Sequence, residues 1–195
     1  MSRAQVSRDD WTHAALEALA EGGVSAVRVD AIARRMKITR GSFYWHFKDR
    51  DALLAAALEE WERLSTTEVL EQLKAIVTPA EQLRALLTHA LAVDELTGLE
   101  PALAAHADHP IVAPVLRRVT DRRVGWLTEA YRELGLAPAV ARRQAVVAYA
   151  AFVGWLELRR AAPDVVPEVG GDSRTSQAAL DYLAQVLVPD EDRSA

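Results

Sequence analysis

The chain of 195 residues contains no cysteine. Disulfides, thiolate metal sites and cysteine nucleophiles are therefore excluded. No run of 18 consecutive apolar residues occurs, so the sequence predicts no transmembrane helix and no membrane partner. Residues 1–5 also lack the basic-then-apolar order of an export signal. We therefore expect a cytoplasmic protein.

The charge of the chain is unevenly distributed. Half of the residues are hydrophobic and 26% are charged, which is typical of a globular protein, and the formal net charge is −5. Residues 1–50 nevertheless hold nine Lys and Arg against six Asp and Glu, whereas residues 51–195 hold 14 against 22. Such asymmetry favours a nucleic-acid-binding end joined to another unit, although a solvated basic face would give the same counts.

Helical periodicity dominates the sequence and strand signals are nearly absent, so we predict an all-α protein. Ser7 and Asp10 form the pattern of a capping box at the start of a first helix, which residues 22–23, both glycine, would end. A short helix over residues 29–36 and another from Arg40 to Phe47 follow, separated by about one turn. Two short helices joined in this way predict a helix-turn-helix.

The remaining helices are longer or are marked by proline. Asp49 is a plausible cap for a helix extending as far as Lys74. Prolines at positions 79, 101, 110 and 138 mark further helices, the longest ending near Gly135 and Ala162. Residues 163–173 read as a loop, Thr175 as the cap of a last helix, and residues 189–195 as a disordered tail.

Residues 145–156 carry no charge on any helical face, and such a helix must be buried all round. Burial of one face on the chain's own core and the other on a second copy predicts a homodimer. A central helix in a monomer is the alternative. The predicted interface residues are Ala148, Ala151 and Trp155, together with Leu180, Leu183 and Leu187 of the last helix.

The segment after the predicted turn is rich in aromatic residues, with four of the chain's twelve between positions 43 and 47. On a helix, Phe43 and Phe47 would face inward and Trp45 outward, and an exposed Trp needs a reason. A helix in the DNA major groove supplies one, because Arg40 can donate to guanine and Ser42 can bond a base edge. On the same helix and just after it, four residues could donate hydrogen bonds to phosphate oxygens, namely Tyr44, His46, Lys48 and Arg50. An ordinary amphipathic helix is the alternative.

Residues 7–54 resemble the DNA-binding region of TetR-family transcriptional regulators. The pattern is matched by Thr39, Gly41, Ser42, Phe43, Tyr44, His46, Phe47 and Arg50. The resemblance implies a homodimer that binds double-stranded DNA at a palindromic operator, usually as a repressor, and is released by a small-molecule effector. The predicted DNA-binding residues are Arg28, Thr39, Arg40, Gly41, Ser42, Tyr44, Trp45, His46, Lys48 and Arg50.

Two positions depart from the family pattern. Lys37 stands where a turn glycine is usual, and a left-handed backbone there would cost roughly 1 kcal/mol. Arg28 stands where a threonine commonly caps the second helix. The expected organisation is a helix-turn-helix domain over residues 1–50 and a helical effector-binding and dimerisation domain over residues 51–188.

Aromatic residues on the long helices suggest a ligand cavity, since helical bundles bind ligands between their helices. The predicted lining is Trp61, Leu64, His89, Trp126, Tyr149 and Phe152. The alternative is that these side chains fill the core or the dimer seam. We predict no cofactor and no metal, and we expect the arginines at positions 117, 118, 122 and 123 to lie on a solvated face.

Two other functions remain open from sequence. His106 and His109, with Asp108 between them, have a spacing that could hold a metal in a helical-bundle enzyme, but Pro110 follows directly. No nucleophile elbow, phosphate-binding loop or dinucleotide-binding glycine pattern occurs, so we do not expect an enzyme. A DNA-binding protein indifferent to sequence is the other alternative.

Overall fold

The computed structural model describes residues 6–92, 98–167, 169 and 173–188. Across these residues the regular structure is helical and contains no strand, which confirms the all-α prediction. The α-helices are α1 (Arg8–Ala26), α2 (Val29–Arg35), α3 (Arg50–Glu62), α4 (Val69–Leu73), α5 (Pro79–Leu91), α6 (Leu99–Ala104), α7 (Val112–Glu133), α8 (Pro138–Ala161) and α9 (Arg174–Leu187). None of them is long and apolar enough to cross a membrane. The tail predicted over residues 189–195 lies outside the described residues.

Helix caps begin the first and third helices where the sequence predicts them. The Ser7 hydroxyl accepts the backbone N–H of Asp10 at 3.1 Å, and the Asp10 carboxylate accepts the N–H of Ser7 at 2.7 Å. Hydrogen bonding by the Ser7 backbone and hydroxyl lowers the pKa of Asp10. The Asp49 carboxylate accepts the N–H of Ala52 at 2.7 Å. Local hydrogen bonds thus fix where the helix-turn-helix begins and where α3 leaves it.

One predicted cap is wrong, and one predicted helix has the expected extent but contains an irregular segment. Ser173, not Thr175, caps α9, because its backbone is extended and its hydroxyl accepts the N–H of Ser176 at 3.1 Å, whereas Thr175 already lies inside the helix. The helix expected from residue 50 to Lys74 is one continuous stretch, but it widens into a π-helical segment at Arg63–Glu68 between α3 and α4. We call residues 50–73 the rod.

Two large hydrophobic cores organise the described residues, and a third, small cluster contains Val69, Leu70 and Leu73 of α4. The first contains side chains of α1, α2 and α3 together with Leu99 and Leu103 of α6 and the amino-terminal half of α7. The second joins α5, the rest of α7, α8 and the end of α9. Helix α6 is thus buried with the amino-terminal helices, although residues 98–104 are distant from them in sequence.

Candidate nucleic-acid interface and ligand cavity

The segment predicted as a recognition helix is a 3₁₀ helix, Arg40–Trp45, and not the regular α-helix expected to Phe47. Phe43 and Phe47 are 1% and 4% exposed, as predicted, and their rings stack with centroids 5.7 Å apart. Trp11 of α1 meets the Phe43 ring edge-on at 5.3 Å. These rings anchor the segment to α1, so its outer side is held in place.

The outer side of the 3₁₀ helix presents the predicted base-contacting groups. With three residues per turn, Thr39, Ser42 and Trp45 lie in line. Thr39 is exposed, Ser42 is half-buried, and Trp45 is 88% exposed. Gly41 lies beside them with free space around its Cα, since an added Cβ would meet no atom closer than 3.9 Å.

Arg40 and Tyr44 of the same segment are in direct contact. The guanidinium donates to the Tyr44 hydroxyl at 3.1 Å and lies 3.4 Å from the carboxylate of Asp30 in α2. The hydrogen bond to Tyr44, followed by the charge of Asp30, raises the pKa of Arg40. Both partners of this pair are exposed. A planar guanidinium held in this way is suited to the two acceptors of a guanine edge.

Two residues predicted to contact phosphate make contacts within the protein. The Nε2 of His46 donates to the backbone carbonyl of Val6 at 2.9 Å. The guanidinium of Arg50 donates to the carbonyls of Val27 at 2.8 Å and Val24 at 2.5 Å, where α1 ends. Lys48, by contrast, has a side chain that is 82% exposed. His46 therefore ties the segment to Val6, just before α1, and Arg50 ties the start of α3 to the end of α1.

A cavity of about 340 Å³ lies between the rod, α5, α7 and α8. All six residues predicted to line a cavity do line it, namely Trp61, Leu64, His89, Trp126, Tyr149 and Phe152. Aliphatic side chains complete much of the wall, including Leu83, Leu127 and Leu156. The volume lies at the lower end of the range typical of small-molecule sites.

Arg123 also lines the cavity. The prediction that it lies on a solvated face is wrong. Its side chain is only 12% exposed and forms an ion pair with Glu100 of α6, Nη1 to Oε1 at 2.6 Å. Further N–H groups donate to the Thr66 hydroxyl at 2.9 Å and to the Ser65 carbonyl and hydroxyl at 3.1 and 3.0 Å. The guanidinium also lies over the rings of Trp61 and Phe152, 5.6 and 5.7 Å from their centroids.

Two other arginines of α7, Arg118 and Arg122, contact the rod and not the acids of their own helix. Arg118 donates to the Glu62 carboxylate at 3.0 Å, which lowers the pKa of Glu62. Arg122 donates to the Thr67 hydroxyl at 2.7 Å. These arginines therefore attach α7 to the rod, whereas Arg117 is exposed as predicted.

The histidines considered for a metal are engaged separately. His106 donates through Nδ1 to the Ala102 carbonyl at 2.9 Å, and Nδ1 of His109 accepts the N–H of Ile111 at 3.2 Å. In the described part of the chain, no three His, Asp or Glu side chains are grouped to hold a metal ion.

The predicted dimer residues divide between two environments. Ala148 and Leu187 are 8% and 5% exposed and line the cavity, so they lie in the chain's own core and not at an interface. Ala151 is exposed, and Trp155, Leu180 and Leu183 are half-buried. The outward side of α8 and α9 exposes large apolar residues, at Val146, Val147, Leu158, Tyr182 and Val186. We call this set the apolar face.

Residues 12–57 match the family model described as "Bacterial regulatory proteins, tetR family". This amino-terminal region is of the TetR type. Its amino-terminal region is 35% identical over 92 residues to the "HTH-type transcriptional regulator AcrR" of Shigella flexneri, an alignment that covers 45% of this chain and 41% of that regulator. The chain thus spans less than half the length of this relative. The relatives are transcriptional regulators and not enzymes.

Solved structures extend the TetR-type likeness over the whole fold. A transcriptional regulator from Rhodococcus sp. Rha1 superposes with a TM-score of 0.73 at 21% identity, covering 93% of this chain and 96% of that chain. AibR, solved in complex with isovaleryl coenzyme A and operator DNA, superposes with a TM-score of 0.68 at 20% identity, covering 93% and 98%. At these identities the likeness shows a shared fold, an amino-terminal helix-turn-helix followed by a larger helical domain.

The two departures from the TetR pattern have distinct structural outcomes. Lys37 has a φ of 57°, so this chain makes with lysine the left-handed turn for which glycine is usual. Arg28 stands at the cap position of α2 without a side-chain cap hydrogen bond. Its side chain is exposed beside the first turn of α2.

Proposed function

We propose that this chain is a ligand-responsive transcriptional repressor that binds a palindromic DNA operator as a homodimer and releases it when a small molecule occupies the cavity. The observation that carries the DNA-binding part is the anchored 3₁₀ helix, which holds Trp45 88% exposed on a rigid base of buried rings. A large aromatic side chain held in water at a rigid site favours a binding surface. Because bacterial DNA lies in the cytoplasm, the proposal places the protein there.

The proposed DNA contacts follow from the contacts that the structure gives each residue. Arg40, Ser42 and Trp45 read base edges and sugar, with Thr39, Gly41 and Tyr44 beside them. Arg28 and Lys48 are exposed and meet phosphate. We assign His46 and Arg50 a positioning role, because their donors are engaged by backbone carbonyls. In this proposal residues 1–50 are the DNA-binding domain and residues 51–188 the effector-binding and dimerisation domain.

A retardation assay tests sequence-specific binding, with DNA flanking the chain's own gene against scrambled DNA over a salt series. We expect preference for a short palindrome and an affinity that falls as salt rises. Arg40→Ala is expected to cost about 1–3 kcal/mol and to relax one operator position. Arg132→Ala is the matched control, since Arg132 pairs with Glu129 on α7 outside the helix-turn-helix. If Arg40→Ala weakened the affinity for all DNA sequences equally, the protein would be a DNA binder indifferent to sequence.

The apolar face supports the homodimer. Val147, Leu158 and Tyr182 are 56%, 53% and 66% exposed, and large apolar side chains left in water are candidates for a protein interface. Two copies related by a two-fold axis would pair α8 and α9 of each copy and set two 3₁₀ helices about 34–36 Å apart, the spacing of successive major grooves.

Sedimentation equilibrium tests the dimer with Val147→Glu, which places a charge in the centre of the apolar face. We expect the wild type to sediment as a dimer and the variant as a monomer with weakened operator binding. Val77→Glu is the control, because Val77 is 90% exposed in the loop before α5. A monomeric wild type, or a Val147→Glu variant as dimeric as Val77→Glu, would exclude this interface.

The cavity supports control by a small molecule, which must favour one of two states to regulate. To shift the ratio of the released state to the operator-binding state from 1:99 to 99:1, a ligand must bind the released state more tightly by about 5.5 kcal/mol. The structural neighbour AibR was solved with both a small molecule and operator DNA. We propose that occupation of the cavity tilts the rod and changes the separation of the two 3₁₀ helices. Operator-bound and ligand-bound structures with equal separation would refute this mechanism.

A further inference from the structure

The arginine and the two carboxylates of the cavity wall form ion pairs within the protein. Arg123 and Glu100, each 12% exposed, form an ion pair of 2.6 Å across the wall. Glu68, the other carboxylate of the lining, pairs with Arg63 on the outer side of the rod. An additional charge on a ligand would therefore enter an apolar cavity without an opposite charge left to neutralise it, which is strongly unfavourable.

The polar groups of the wall are also mostly engaged. Four N–H contacts of Arg123 go to Glu100, Thr66 and Ser65. The Tyr131 hydroxyl donates to the Leu187 carbonyl at 2.7 Å. None of these groups needs a ligand to complete its hydrogen bonding, so they form a closed polar wall.

Tyr149 differs from Arg123 and Tyr131 in its hydrogen bonding. Its hydroxyl lies 3.3 Å from the Thr120 hydroxyl and 3.4 Å from Oε1 of Glu100. Both distances exceed the 2.5–3.0 Å of a good O–H···O hydrogen bond. A ligand oxygen at about 2.8 Å would therefore improve the hydrogen bonding of this hydroxyl. Burial and the nearby charge of Glu100 raise the pKa of Tyr149, so the hydroxyl keeps the proton that it would donate.

Apolar surface surrounds this hydroxyl. The Tyr149 ring lies 6.0 Å from the Phe152 ring, and Trp61, Trp126 and Leu64 line the same cavity. We propose that the cavity takes an uncharged, mostly apolar molecule with a hydroxyl or carbonyl oxygen, which accepts a hydrogen bond from the Tyr149 hydroxyl. The inference rests on the proposed function, in which this cavity is the effector site, and it names the chemical class of the effector.

Three probes with one skeleton test the charge of the ligand, 4-phenylbutan-1-ol, 4-phenylbutanoate and 4-phenylbutylamine. At pH 7 they are neutral, anionic and cationic, and their binding to the full chain is measured by titration calorimetry. We expect the alcohol to bind at least about tenfold more tightly than either charged probe, because only the charged probes lose hydration without gaining a counter-charge. An acid or amine that binds as tightly as the alcohol, or no binding of any probe at millimolar concentration, overturns the proposal.

Tyr149→Phe tests the hydrogen bond, since it removes the hydroxyl and retains the ring. We expect the affinity for the alcohol to fall about three- to tenfold, the effect of one hydrogen bond. Tyr182→Phe is the matched control, because Tyr182 is 66% exposed on α9 and does not line the cavity. An unchanged affinity in Tyr149→Phe, or an equal loss in both variants, would overturn the role of Tyr149.

Operator binding by the same preparations separates this inference from the proposed function. A protein that binds its operator but prefers a charged probe leaves the regulator standing and refutes the effector class. A protein that binds the alcohol through Tyr149 but no DNA leaves the class of ligand standing and refutes the regulator.

Discussion

Gly23→Ala is expected to destabilise the protein at the junction of the DNA-binding helices and the larger domain. Gly23 interrupts α1 with φ 64° and ψ −162°, a region essentially restricted to glycine, so alanine would carry a backbone strain of about 1–3 kcal/mol. A Cβ at this position would also stand 2.7 Å from Cε1 of His106, which follows α6. Relief of such an overlap by shifting the imidazole costs a further 1–3 kcal/mol or so.

Urea unfolding at one fixed protein concentration measures this cost, because the stability of a dimer depends on concentration. We expect Gly23→Ala to lose about 2–6 kcal/mol in all. Gly125→Ala on α7 is the control of opposite sign, since its added Cβ meets nothing within 4 Å and helical alanine is favoured by about 0.5–1 kcal/mol.

A double-mutant cycle with His106→Ala separates strain from overlap. In the His106→Ala background, Gly23→Ala should cost only the backbone part, about 1–3 kcal/mol. A Gly23→Ala variant within about 0.5 kcal/mol of the wild type would refute the strained backbone. An equal cost in both backgrounds would show that the imidazole does not press on Gly23.

Two further changes test buried polar groups. Arg123→Met leaves the Glu100 carboxylate, whose side chain is 12% exposed, without its ion pair, so we expect the free energy of unfolding in urea to fall by about 3–5 kcal/mol. Adding Glu100→Gln should restore part of this loss. An Arg123→Met variant as stable as the wild type would contradict the prediction. Burial raises the pKa of Tyr131 to about 12 in the folded protein, against a value near 10 in the unfolded chain. The contribution of Tyr131 to the free energy of unfolding is therefore complete below pH 10 and is lost as the pH rises to 12. Tyr131→Phe should flatten the pH dependence of unfolding in that window, and an unchanged slope would show that another group titrates there.

The helix-turn-helix was predictable from sequence because its determinants are local. Ser7 and Asp10 lie within one turn, and the rings of Phe43 and Phe47 are one turn apart, so spacing alone places them on caps and on an inward face. The engagement of His46 by Val6 could not be predicted in this way. That contact spans 40 residues and depends on how the chain folds back.

The sequence also could not predict which side of α8 faces the core. A helix that is apolar on every side has no polar face to orient it, so the periodicity cannot say which residues face the core. The structure turns Ala141, Ala145 and Ala148 inward and Val147 and Ala151 outward. The sequence could therefore identify α8 as an apolar helix but could not separate the buried Ala148 from the exposed Ala151.

The burial of Arg123, in contrast, could have been predicted from its spacing in the sequence, although the adjacent arginines suggest a solvated face. It lies four residues after Val119 and four before Leu127, on the buried stripe of α7. An arginine in such a stripe must be paired, and Glu100 supplies the charge. The same guanidinium donates to the Ser65 carbonyl within the π-helical segment, a local widening that is frequent at functional sites. Arg123 thus joins the cavity wall to the rod, and the rod begins at the Asp49 cap directly after the 3₁₀ segment. A molecule that repacks the wall around Arg123 would therefore act on the helix that follows the proposed DNA-binding surface.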